Sequence, residues 1–427
     1  MNKINRIKGF SDLFPPESTA YVFMEETARD LFSRYGYQEI RIPAVEYTEL
    51  FARSIGQETD VVQKEMYTFA DRKGRSLTLR PEATAGVIRS YIDSPFSGTG
   101  TVKKLFTSGP MFRYERPQKG RTRQFHQINA EILGEVSPWS DAEVIIMLWT
   151  YLQSLGLEKL DIEINSLGCR DCRPGFHQAL KCFLDDTSHD HLCSDCRRRK
   201  ETNPLRVLDC KVPGCREAVK EAPGINDSLC SGCMDHFETV TAMLGKSGLK
   251  YHFNPNLVRG LDYYQRTTFE VISHDIGAQS SVAGGGRYDG LVKALGGPDV
   301  PGIGFACGME RLALILGNIQ ERPMDFYLAV LHEQAMEKAL LLAQRLREKG
   351  FAGEISFQIK SVKAQLRQAN KLAVKTCLLL GVDELDRHEI QVKDMATGVQ
   401  RAVSQEDVEQ ALGLNTKGKN NTYLRNR

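Results

Sequence analysis

The sequence predicts a multidomain protein of mixed α+β and α/β class: an antiparallel-sheet domain interrupted by a small insertion, followed by a C-terminal α/β domain. Three features support this class. Two β-prone runs flank a polar loop within residues 104–133, nine of the eleven cysteines lie between Cys169 and Cys233, and strands alternate with helices after Pro323. We place the first domain at 1–166 and 249–320, the insertion at 167–248 and the last domain at 325–427.

The composition excludes several classes of protein. With 41% apolar and 26% charged residues in a chain of 427, large cores can form. The net charge is only +2, so any nucleic-acid binding has to come from local patches. The chain has no apolar run of about eighteen residues and no apolar core of a signal peptide at its N-terminus. We therefore expect a cytoplasmic protein without a membrane span.

The chain begins with a predicted helix and two strands. Proline is tolerated in a first helical turn, so Pro15-Pro16-Glu17 favours a helix start, and Gly36 is placed to end the helix. Strands are predicted at 38–43 and 45–50. This unit could be plain scaffold, or it could present an edge for dimer formation.

A hairpin over residues 67–80 leads directly into a predicted helix over 85–92. Glu82 and Thr84 lie where the strand gives way to the helix, which is a common position for ligand-binding groups. Capping of the helix by the same two side chains is the simpler alternative.

The hairpin of residues 104–133 is the feature around which the chain is organised. Because side chains alternate along a strand, one face of its second strand carries these residues: Phe125, Gln127, Asn129 and Glu131. An aromatic ring, amides and a carboxylate on one face are typical of the floor of a polar pocket. Five cations lie in the loop and at the strand ends: Arg113, Arg116, Lys119, Arg121 and Arg123. They suit a polyanion such as a triphosphate or an RNA backbone, with a solvated basic hairpin as the alternative.

The insertion contains four closely spaced cysteine pairs: Cys169 with Cys172, Cys193 with Cys196, Cys210 with Cys215, and Cys230 with Cys233. In a cytosolic chain, eight such thiolates fit two tetrahedral zinc sites. The spacing does not decide which pairs share a metal, and reduced structural cysteines are the alternative.

The remaining cysteine of the insertion and its histidines are predicted not to bind metal. Cys182 is expected to be buried in a helix that also carries Phe176 and Leu180. Four histidines could replace a cysteine ligand but are predicted to lie on the surface: His177, His189, His191 and His236.

The segments that flank the insertion return to the first domain. A helix at 140–155 and a strand at 160–165 precede it, and strands at 251–254 and 267–273 follow. Two adjacent tyrosines beside Arg259 and Asp262 predict a polar, aromatic patch. Glycine-rich runs at 283–290 and 302–308 are expected to let a ligand, such as a planar group, approach the backbone. Neither run has the Lys-Ser/Thr ending of a Walker loop, and the second leads into a helix at 312–316.

The last domain alternates between strands and helices. Strands are predicted at 326–331, 356–359, 376–380 and 390–393. Helices are predicted at 333–349, 362–373 and 405–412, and the basic tail, 417–427, is expected to be disordered. This alternation predicts a separate α/β domain.

Several of these segments resemble a known family. The run Phe112-Arg113-x-Glu115 with its loop resembles motif 2 of class II aminoacyl-tRNA synthetases, residues 302–311 resemble motif 3, and residues 38–43 resemble the dimer-forming motif 1. Residues 259–264 and 285–289 resemble the two sequence signatures of histidyl-tRNA synthetases. The resemblance covers essentially the whole chain. It implies a six-stranded antiparallel catalytic sheet, an inserted domain and a C-terminal anticodon-binding α/β domain.

The resemblance also implies an activity. Members of the family ligate L-histidine to tRNA(His) through a histidyl-adenylate, use ATP with Mg²⁺, release pyrophosphate and AMP, and act as homodimers. Many members lack the cysteine pairs, so the Zn²⁺ hypothesis depends on their spacing alone. The implied catalytic residues, at the α-phosphate and the substrate carboxylate, are Arg113 and Arg259.

The family motifs assign the other site residues in three groups. The implied ATP-binding residues are Arg113, Glu115, Arg121, Phe125 and Arg311. The implied histidine-binding residues are Glu82, Ala83, Thr84, Gln127, Glu131, Arg259, Tyr263, Tyr264 and Tyr288. The implied contacts to the tRNA acceptor end are Arg116, Gln118, Lys119 and Arg123.

Two alternatives to this activity are open. A catalytically inactive, histidine-sensing paralogue would have lost signature residues and usually the C-terminal domain, both of which this chain retains. A zinc-dependent nucleic-acid-binding adaptor would use the cysteine-rich segment but would leave the histidine signatures unexplained.

Overall fold

The computed structural model describes residues 3–57, 59–186, 192–210, 212–276, 281–317, 319–321, 323–413 and 423–425. The chain divides into two units, Met1–Asn318 and Ile319–Arg427. Among the described residues, no helix is both long enough and apolar enough to cross a membrane.

The strands, in chain order, are β1 (Gln38–Glu39), β2 (Val45–Tyr47), β3 (Tyr67–Ala70), β4 (Ser76–Leu79), β5 (Lys103–Phe112), β6 (Gln124–Leu133), β7 (Leu160–Ser166), β8 (His252–Phe253), β9 (Gln265–Ser273), β10 (Ser281–Arg287), β11 (Gly302–Gly308), β12 (Ile319–Glu321), β13 (Phe326–Val330), β14 (Gly353–Ile355), β15 (Thr376–Leu380), β16 (Glu389–Asp394), β17 (Gln400–Ser404) and β18 (Tyr423–Arg425). The helices are α1 (Glu17–Arg34), α2 (Thr48–Ile55), α3 (Thr84–Ile92), α4 (Pro138–Ser154), α5 (Arg173–Asp186), α6 (Ser194–Thr202), α7 (Leu205–Leu208), α8 (Pro213–Ala218), α9 (Ser231–Lys246), α10 (Leu291–Ala294), α11 (Met309–Leu316), α12 (Met336–Glu348), α13 (Val362–Lys371), α14 (Val382–Asp386) and α15 (Val408–Ala411).

An eight-stranded sheet forms the centre of the first unit, in the order β1-β5-β6-β11-β10-β9-β7-β8. Its six inner strands, β5 to β7 in that order, are antiparallel to one another, and the short strands β1 and β8 add a parallel pair at each edge. The six-stranded antiparallel sheet implied by the family resemblance is therefore confirmed, with two edge strands added.

One face of this sheet is apolar and packs on helices, and the other face is polar. Phe32 of α1 contacts Phe305 of β11 and Tyr151 of α4, with ring centroids 5.9 and 5.4 Å apart. In β6, Ile128 and Ile132 are buried in the core. Because neighbouring residues of a strand face opposite sides, the polar residues between them face away from these helices.

The strands near the N-terminus are shorter than predicted. The predicted strand at 38–43 keeps only β1, because the Ile42 carbonyl accepts a hydrogen bond from Arg80 Nη1 at 2.7 Å and not from a neighbouring strand. The predicted strand at 45–50 ends at Tyr47, and Thr48 begins α2. That helix buries Phe51 and Ile55, which are one helical turn apart.

The described part of the insertion, between β7 and β8, contains the helices α5 to α9, and residues of α5 to α8 form a small apolar core. Cys182 is exposed, contrary to the prediction, since α5 buries Phe176, Leu180 and Leu184 at four-residue spacing and Cys182 lies off this stripe. The surface prediction for His236 is also wrong: its side chain is buried, and Nε2 lies 2.8 Å from Asp141 Oδ2 of α4.

The other predicted non-ligand histidines differ in how far the structure describes them. His177 is half-buried, so it is less exposed than predicted. His189 and His191 lie outside the described residues.

The second unit contains a five-stranded sheet in the order β14-β13-β15-β16-β17, with parallel pairs on the first side and antiparallel pairs on the other. The predicted strand at 356–359 is replaced by β14, three residues earlier, because the Gln365 amide binds the Ser356 hydroxyl and the Gln358 carbonyl. The predicted helix at 405–412 is limited to α15, and β17 precedes it.

The predicted disordered tail is partly ordered. β18 pairs with β12, so residues 423–425 form a strand. The rest of the predicted tail, 417–422 and 426–427, lies outside the described residues.

Candidate active site

A cavity of about 370 Å³ opens on the polar face of the eight-stranded sheet. Its lining comes from β6, β10 and β11, from the segment after β4, and from α6 and α7 of the insertion. Six carboxylates and five arginines contribute to this lining. The cavity therefore suits a ligand with charged groups of both signs.

Glu131 of β6 is a fully buried carboxyl group in this cavity, with 1% of its surface exposed. Its Oε1 accepts a hydrogen bond from the Thr84 hydroxyl at 2.7 Å, and its Oε2 accepts one from the Tyr288 hydroxyl at 2.6 Å. Burial raises the pKa of Glu131 to about 8, against the opposing effect of these two bonds. The carboxyl group therefore holds a proton at neutral pH and can donate a hydrogen bond to a neutral ring nitrogen.

Two glycines of β11 make room for these side chains. A Cβ atom on Gly304 would lie 1.7 Å from Glu131 Oε2, and one on Gly302 would lie 2.2 Å from the Tyr288 ring. The glycines were expected to let a ligand approach the backbone. At these two positions they accommodate the protein's own carboxyl group and phenol instead.

Two amide side chains of β6 line the cavity. Gln127 Oε1 and Asn129 Oδ1 line the cavity, are buried and have no hydrogen-bond partner among the described residues. A buried acceptor without a partner is costly and therefore rare. These two oxygens indicate that a ligand supplies a hydrogen-bond donor here.

Glu82 combines capping with a position in the cavity. Its two oxygens accept hydrogen bonds from the backbone N–H groups of Thr84 and Ala85, at 2.7 and 2.9 Å. The capping alternative is therefore correct for Glu82, whereas the Thr84 hydroxyl binds Glu131. Burial raises the pKa of Glu82. Ala83, between Glu82 and Thr84 in the sequence, is fully buried.

Three tyrosines form the aromatic part of the cavity. The rings of Tyr263 and Tyr264 lie 4.6 Å apart, and that of Tyr263 lies 5.8 Å from Tyr288. Burial raises the pKa of Tyr264 to about 12, so its hydroxyl keeps its proton and can act as a donor.

Three arginines gather at the base of the hairpin loop. Arg113 donates from Nε to the Pro81 carbonyl at 2.9 Å, and its guanidinium carbon lies 5.3 Å from the centre of the Phe125 ring. Arg121 Nη1 lies 3.0 Å from Glu115 Oε2. The pKa of Arg311 is lowered by burial and then by the charge of Arg121. Cations that repel one another in this way favour a polyanionic ligand.

Arg259 lines the same cavity as Arg113 and Arg121. Its Nη1 binds Glu270 Oε1 at 2.7 Å, while its Nε is buried without a hydrogen-bond partner among the described residues. A Cβ atom on Gly284 would lie 2.6 Å from the guanidinium, so this glycine is needed for the position of Arg259. The side chain can therefore offer a further donor to a ligand.

The residues predicted to contact tRNA differ in exposure. Arg116, Gln118 and Lys119 are exposed in the loop between β5 and β6. Arg123 is half-buried: its guanidinium carbon lies 3.9 Å from the centre of the Tyr114 ring, and its Nε donates to the Glu115 carbonyl at 3.2 Å. Arg123 therefore holds the base of the loop.

The eight predicted cysteine ligands form two clusters. Cluster A consists of Cys169, Cys172, Cys230 and Cys233, and cluster B of Cys193, Cys196, Cys210 and Cys215; within each, the sulfur atoms lie within 4.8 Å of one another. A tetrahedral zinc site with Zn–S bonds of about 2.3 Å places its sulfurs about 3.8 Å apart. The Sγ atoms of Cys169 and Cys172 are 3.6 Å apart, and those of Cys193 and Cys210 are 3.9 Å apart. The thiols thus fit two tetrathiolate metal sites.

Several lining residues were not predicted from the sequence. Asn129 follows from the alternation of β6 and could have been included. The other side chains come from the turn at 60–65 and from the insertion: Asp60, Glu65, Arg199, Arg206 and Asp209. No motif or periodicity marks them. Arg199, Arg206 and Asp209 reach the cavity through the fold of the insertion, and Asp60 and Glu65 through the fold of the segment between α2 and β3.

Comparisons with known proteins agree with one another over most of the chain. Residues 9–312 match the family model of histidyl-tRNA synthetase, and residues 325–413 match that of the anticodon-binding domain. The histidine–tRNA ligase of Oleidesulfovibrio alaskensis is 60% identical over 407 residues, which cover 95% of this chain and 98% of that protein. That of Maridesulfovibrio salexigens is 58% identical over 409 residues, covering 95% and 99%. The crystal structure of apo S. aureus histidyl-tRNA synthetase is 36% identical, with a TM-score of 0.80, and covers 96% of this chain and 100% of that one.

Proposed function

The chain belongs to the histidyl-tRNA synthetase family, and from this premise we propose how its cavity carries out the family's reaction. The enzyme ligates L-histidine to tRNA in two steps, of which the first consumes ATP. The histidine carboxylate attacks the α-phosphorus of ATP to give histidyl-adenylate and pyrophosphate. The terminal ribose hydroxyl of the tRNA then takes the histidyl group, and AMP leaves.

The observation that carries the assignment is the separation of two chemistries in one cavity. Glu131 of β6 is buried and hydrogen-bonded to Thr84 and Tyr288. Tyr264 lines the same cavity. These side chains suit the imidazole. The unpartnered oxygen of Gln127, four residues along the same strand, suits the ammonium group, together with Glu82.

The arginines suit the phosphates. The attacking carboxylate is already ionised, so the first step needs no protein base. It needs alignment of the two reactants and stabilisation of charge on the phosphoryl oxygens, which rigid guanidinium donors supply. We assign Arg113 to the α-phosphate and Arg259 to the α-phosphate and the substrate carboxylate. Arg121 and Arg311 bind the outer phosphates.

The remaining ATP contacts follow from the same arrangement. Phe125, next to Arg113, stacks on adenine, and Glu115 lies on the adenine side. ATP is used with Mg²⁺, which takes one or two carboxylates together with phosphate oxygens. Glu65 fits this donor set, since its carboxyl group lines the cavity near the arginines assigned to the phosphates, and the charges of Arg113 and Arg121 act on it. When bound, Mg²⁺ neutralises charge on the phosphates.

The tRNA contacts divide between the two units. Arg116, Gln118 and Lys119 are exposed in the hairpin loop and meet the acceptor end, with Arg123 at the base of the loop. The second unit reads the anticodon, which in single-stranded RNA recognition means contacts to splayed and stacked bases. The enzyme keeps Arg113, Arg259 and Glu131, which an inactive histidine-sensing paralogue would not require together.

We further propose that clusters A and B each bind one Zn²⁺. The tetrathiolate donor set and the sulfur spacing support zinc, as do two N–H···S bonds, from Cys193 N to Cys215 Sγ at 3.1 Å and from Cys230 N to Cys172 Sγ at 3.2 Å. Bound zinc would hold the helices of the insertion together. A cytoplasmic location is proposed because clusters of thiolate metal ligands are typical of a reducing compartment, where disulfides are rare.

A homodimer is proposed from the resemblance to motif 1 and from exposed apolar side chains on the small sheet β2-β4-β3. Tyr47 and Phe69 are 53% and 46% exposed. Such side chains near the dimer-forming motif are typical of a surface that a second copy covers.

The activity is tested by measuring amino-acid-dependent exchange between ATP and pyrophosphate, and then tRNA charging, with each of the proteinogenic amino acids in turn. We expect exchange with histidine alone. A site that bonds both ends of the imidazole rejects apolar analogues by about 10⁴-fold or more, because its buried polar groups would be left without partners. Exchange with a different amino acid, or with none, would overturn the assignment.

A further inference from the structure

The segment between the two halves of cluster B connects the insertion to the loop that carries Arg259. It comprises α6, α7 and the residues between them. Asn203 and Arg206 both reach Asp262, which lies three residues after Arg259. We infer that Asn203 and Arg206 are positioning residues for the loop of residues 259–264, and that cluster B holds them in place. This inference rests on the proposed function of Arg259.

The contacts to the loop are direct. Asp262 Oδ1 accepts hydrogen bonds from Asn203 Nδ2 at 3.1 Å and from Arg206 Nε at 3.2 Å. Arg206 Nη2 also donates to the Gly260 carbonyl. Only 13% of the Arg206 side chain is exposed. One guanidinium therefore fixes both a side chain and a backbone group of the loop, as its rigid fork of donors allows.

Asp262 is the point at which the loop is attached to the first domain. Its backbone N–H donates to the Ile55 carbonyl at 3.2 Å, at the end of α2. Gly56 follows with φ of 101°, and a Cβ atom there would lie 2.5 Å from Asp262 Oδ2. The carboxylate therefore lies between α2 and the insertion, with 31% of the side chain exposed. Tyr263 and Tyr264, next in the chain, line the cavity.

The insertion is itself attached to the first domain on the same side. Arg198 Nη1 donates to Gln63 Oε1 at 3.0 Å, Arg199 pairs with Asp60, and Lys64 Nζ lies 3.5 Å from Asp195 Oδ1. These contacts all lie on α6. With cluster B bounding the segment at Cys196 and Cys210, the positions of α6 and α7 are constrained from both ends.

These contacts give the insertion a part in the first chemical step. Arg259 has to face the phosphate and the substrate carboxylate, and small displacements of a positioning group can cost large factors in rate. Loss of Arg206 would leave Asp262 with fewer donors and free the Gly260 carbonyl. The loop would then sample positions in which Arg259 and the tyrosines do not face histidine.

The test compares Arg206→Ala with Arg206→Lys and with the control Arg216→Ala. Arg216 is an exposed arginine of the same insertion, beside Cys215, with no described contact to the loop. We expect Arg206→Ala to raise KM for histidine in ATP–pyrophosphate exchange about tenfold or more and to lower kcat, with zinc content and Tm close to those of the wild type. Arg206→Lys should recover part of the loss through Asp262, and the control should behave as the wild type.

Unchanged histidine KM and kcat in Arg206→Ala would overturn the inference, provided that the wild type activates histidine; if the wild type does not, the proposed function itself has failed. The single variant Asp262→Asn covers the case in which Arg206→Ala folds poorly, because it removes the charge that Arg206 binds and keeps the shape of the side chain. It should also raise the histidine KM. An unchanged histidine KM in a folded Asp262→Asn variant would overturn the inference as well.

Discussion

The two sides of the active-site cavity are held in place by different means. On the sheet side, strand pairing sets the geometry: Glu131 lies opposite Gly304, and Asn129 opposite Ala306. On the insertion side, short helices surround a small apolar core that contains cysteines of cluster B. The register of the whole sheet fixes the first side, whereas a few polar contacts and one cysteine cluster fix the second. The cavity therefore has two walls: a sheet wall, which the pairing of the whole sheet holds in place, and an insertion wall, which can move when a few contacts are lost.

The largest effect is expected from Arg259→Ala, because the Arg259 guanidinium lies on the sheet, against Glu270 of β9 and Gly284 of β10, although its loop is held by the insertion. Removing one charge-stabilising donor from a preorganised site costs about 10²-fold or more in rate, so histidine-dependent ATP–pyrophosphate exchange should fall by that factor. Zinc content should not change, because Arg259 lies outside both clusters. Arg53→Ala, on the exposed surface of α2, serves as the control. Exchange at near wild-type rates would remove Arg259 from the mechanism and weaken the contrast between the two walls.

An intermediate effect is expected on the insertion side, from removing one cluster at a time. Cys193→Ser with Cys215→Ser opens cluster B, and Cys169→Ser with Cys230→Ser opens cluster A. By elemental analysis, the wild type should hold two zinc ions per chain and each double variant one. Opening cluster B should also raise the histidine KM about tenfold, because the segment that holds the loop of residues 259–264 is released.

The two clusters should differ in stability as well. Cluster A joins Cys172 to Cys230, 58 residues apart, while cluster B joins Cys193 to Cys210, 17 residues apart. A metal cross-link stabilises the fold by lowering the chain entropy of the unfolded state, and this effect is about 1 kcal/mol larger for the longer loop. Opening cluster A should therefore lower the Tm further than opening cluster B. Absence of zinc from the wild type, with freely titrating thiols, would remove the metal from this account.

How far the sequence predicts each wall follows from the same difference. Gln127 and Glu131 could be placed on one face because strand alternation has a period of two, and the helix after Glu82 follows from local capping chemistry. Arg206 could not be placed, since its contact with Asp262 depends on how α6 and α7 fold around cluster B. The cysteine spacing predicted metal ligands but not their pairing, which is nested: the first pair joins the fourth, and the second joins the third.

Two errors in the prediction have different causes. His236 was predicted to be a surface residue, but it is buried because α9 packs on α4, where Asp141 Oδ2 lies 2.8 Å from its Nε2. That position depends on which helices meet in three dimensions, which the local sequence does not show. Cys182 was predicted to be buried, but it lies off the apolar stripe of α5. The four-residue spacing of that stripe is visible in the sequence and could have placed Cys182 correctly.

The smallest effect is expected from the protonation of Glu131. This effect should change the stability of the sheet wall without changing the metal sites. The pKa of Glu131 is raised from 4.5 to about 8 by burial in the folded enzyme. Between these values the folded state holds a proton that the unfolded state has lost, so this group stabilises the fold at low pH and the contribution is lost as pH rises towards 8. The free energy of unfolding changes by at most about 1.4 kcal/mol per pH unit through this group.

Glu131→Gln has the shape of the protonated group and cannot ionise. The Tm of the ligand-free variant, measured relative to that of the wild type, should therefore rise by a few degrees from pH 5 to pH 8, at unchanged zinc content. Parallel pH profiles for the two proteins would show that Glu131 is ionised in the free enzyme, and the imidazole would then meet a carboxylate.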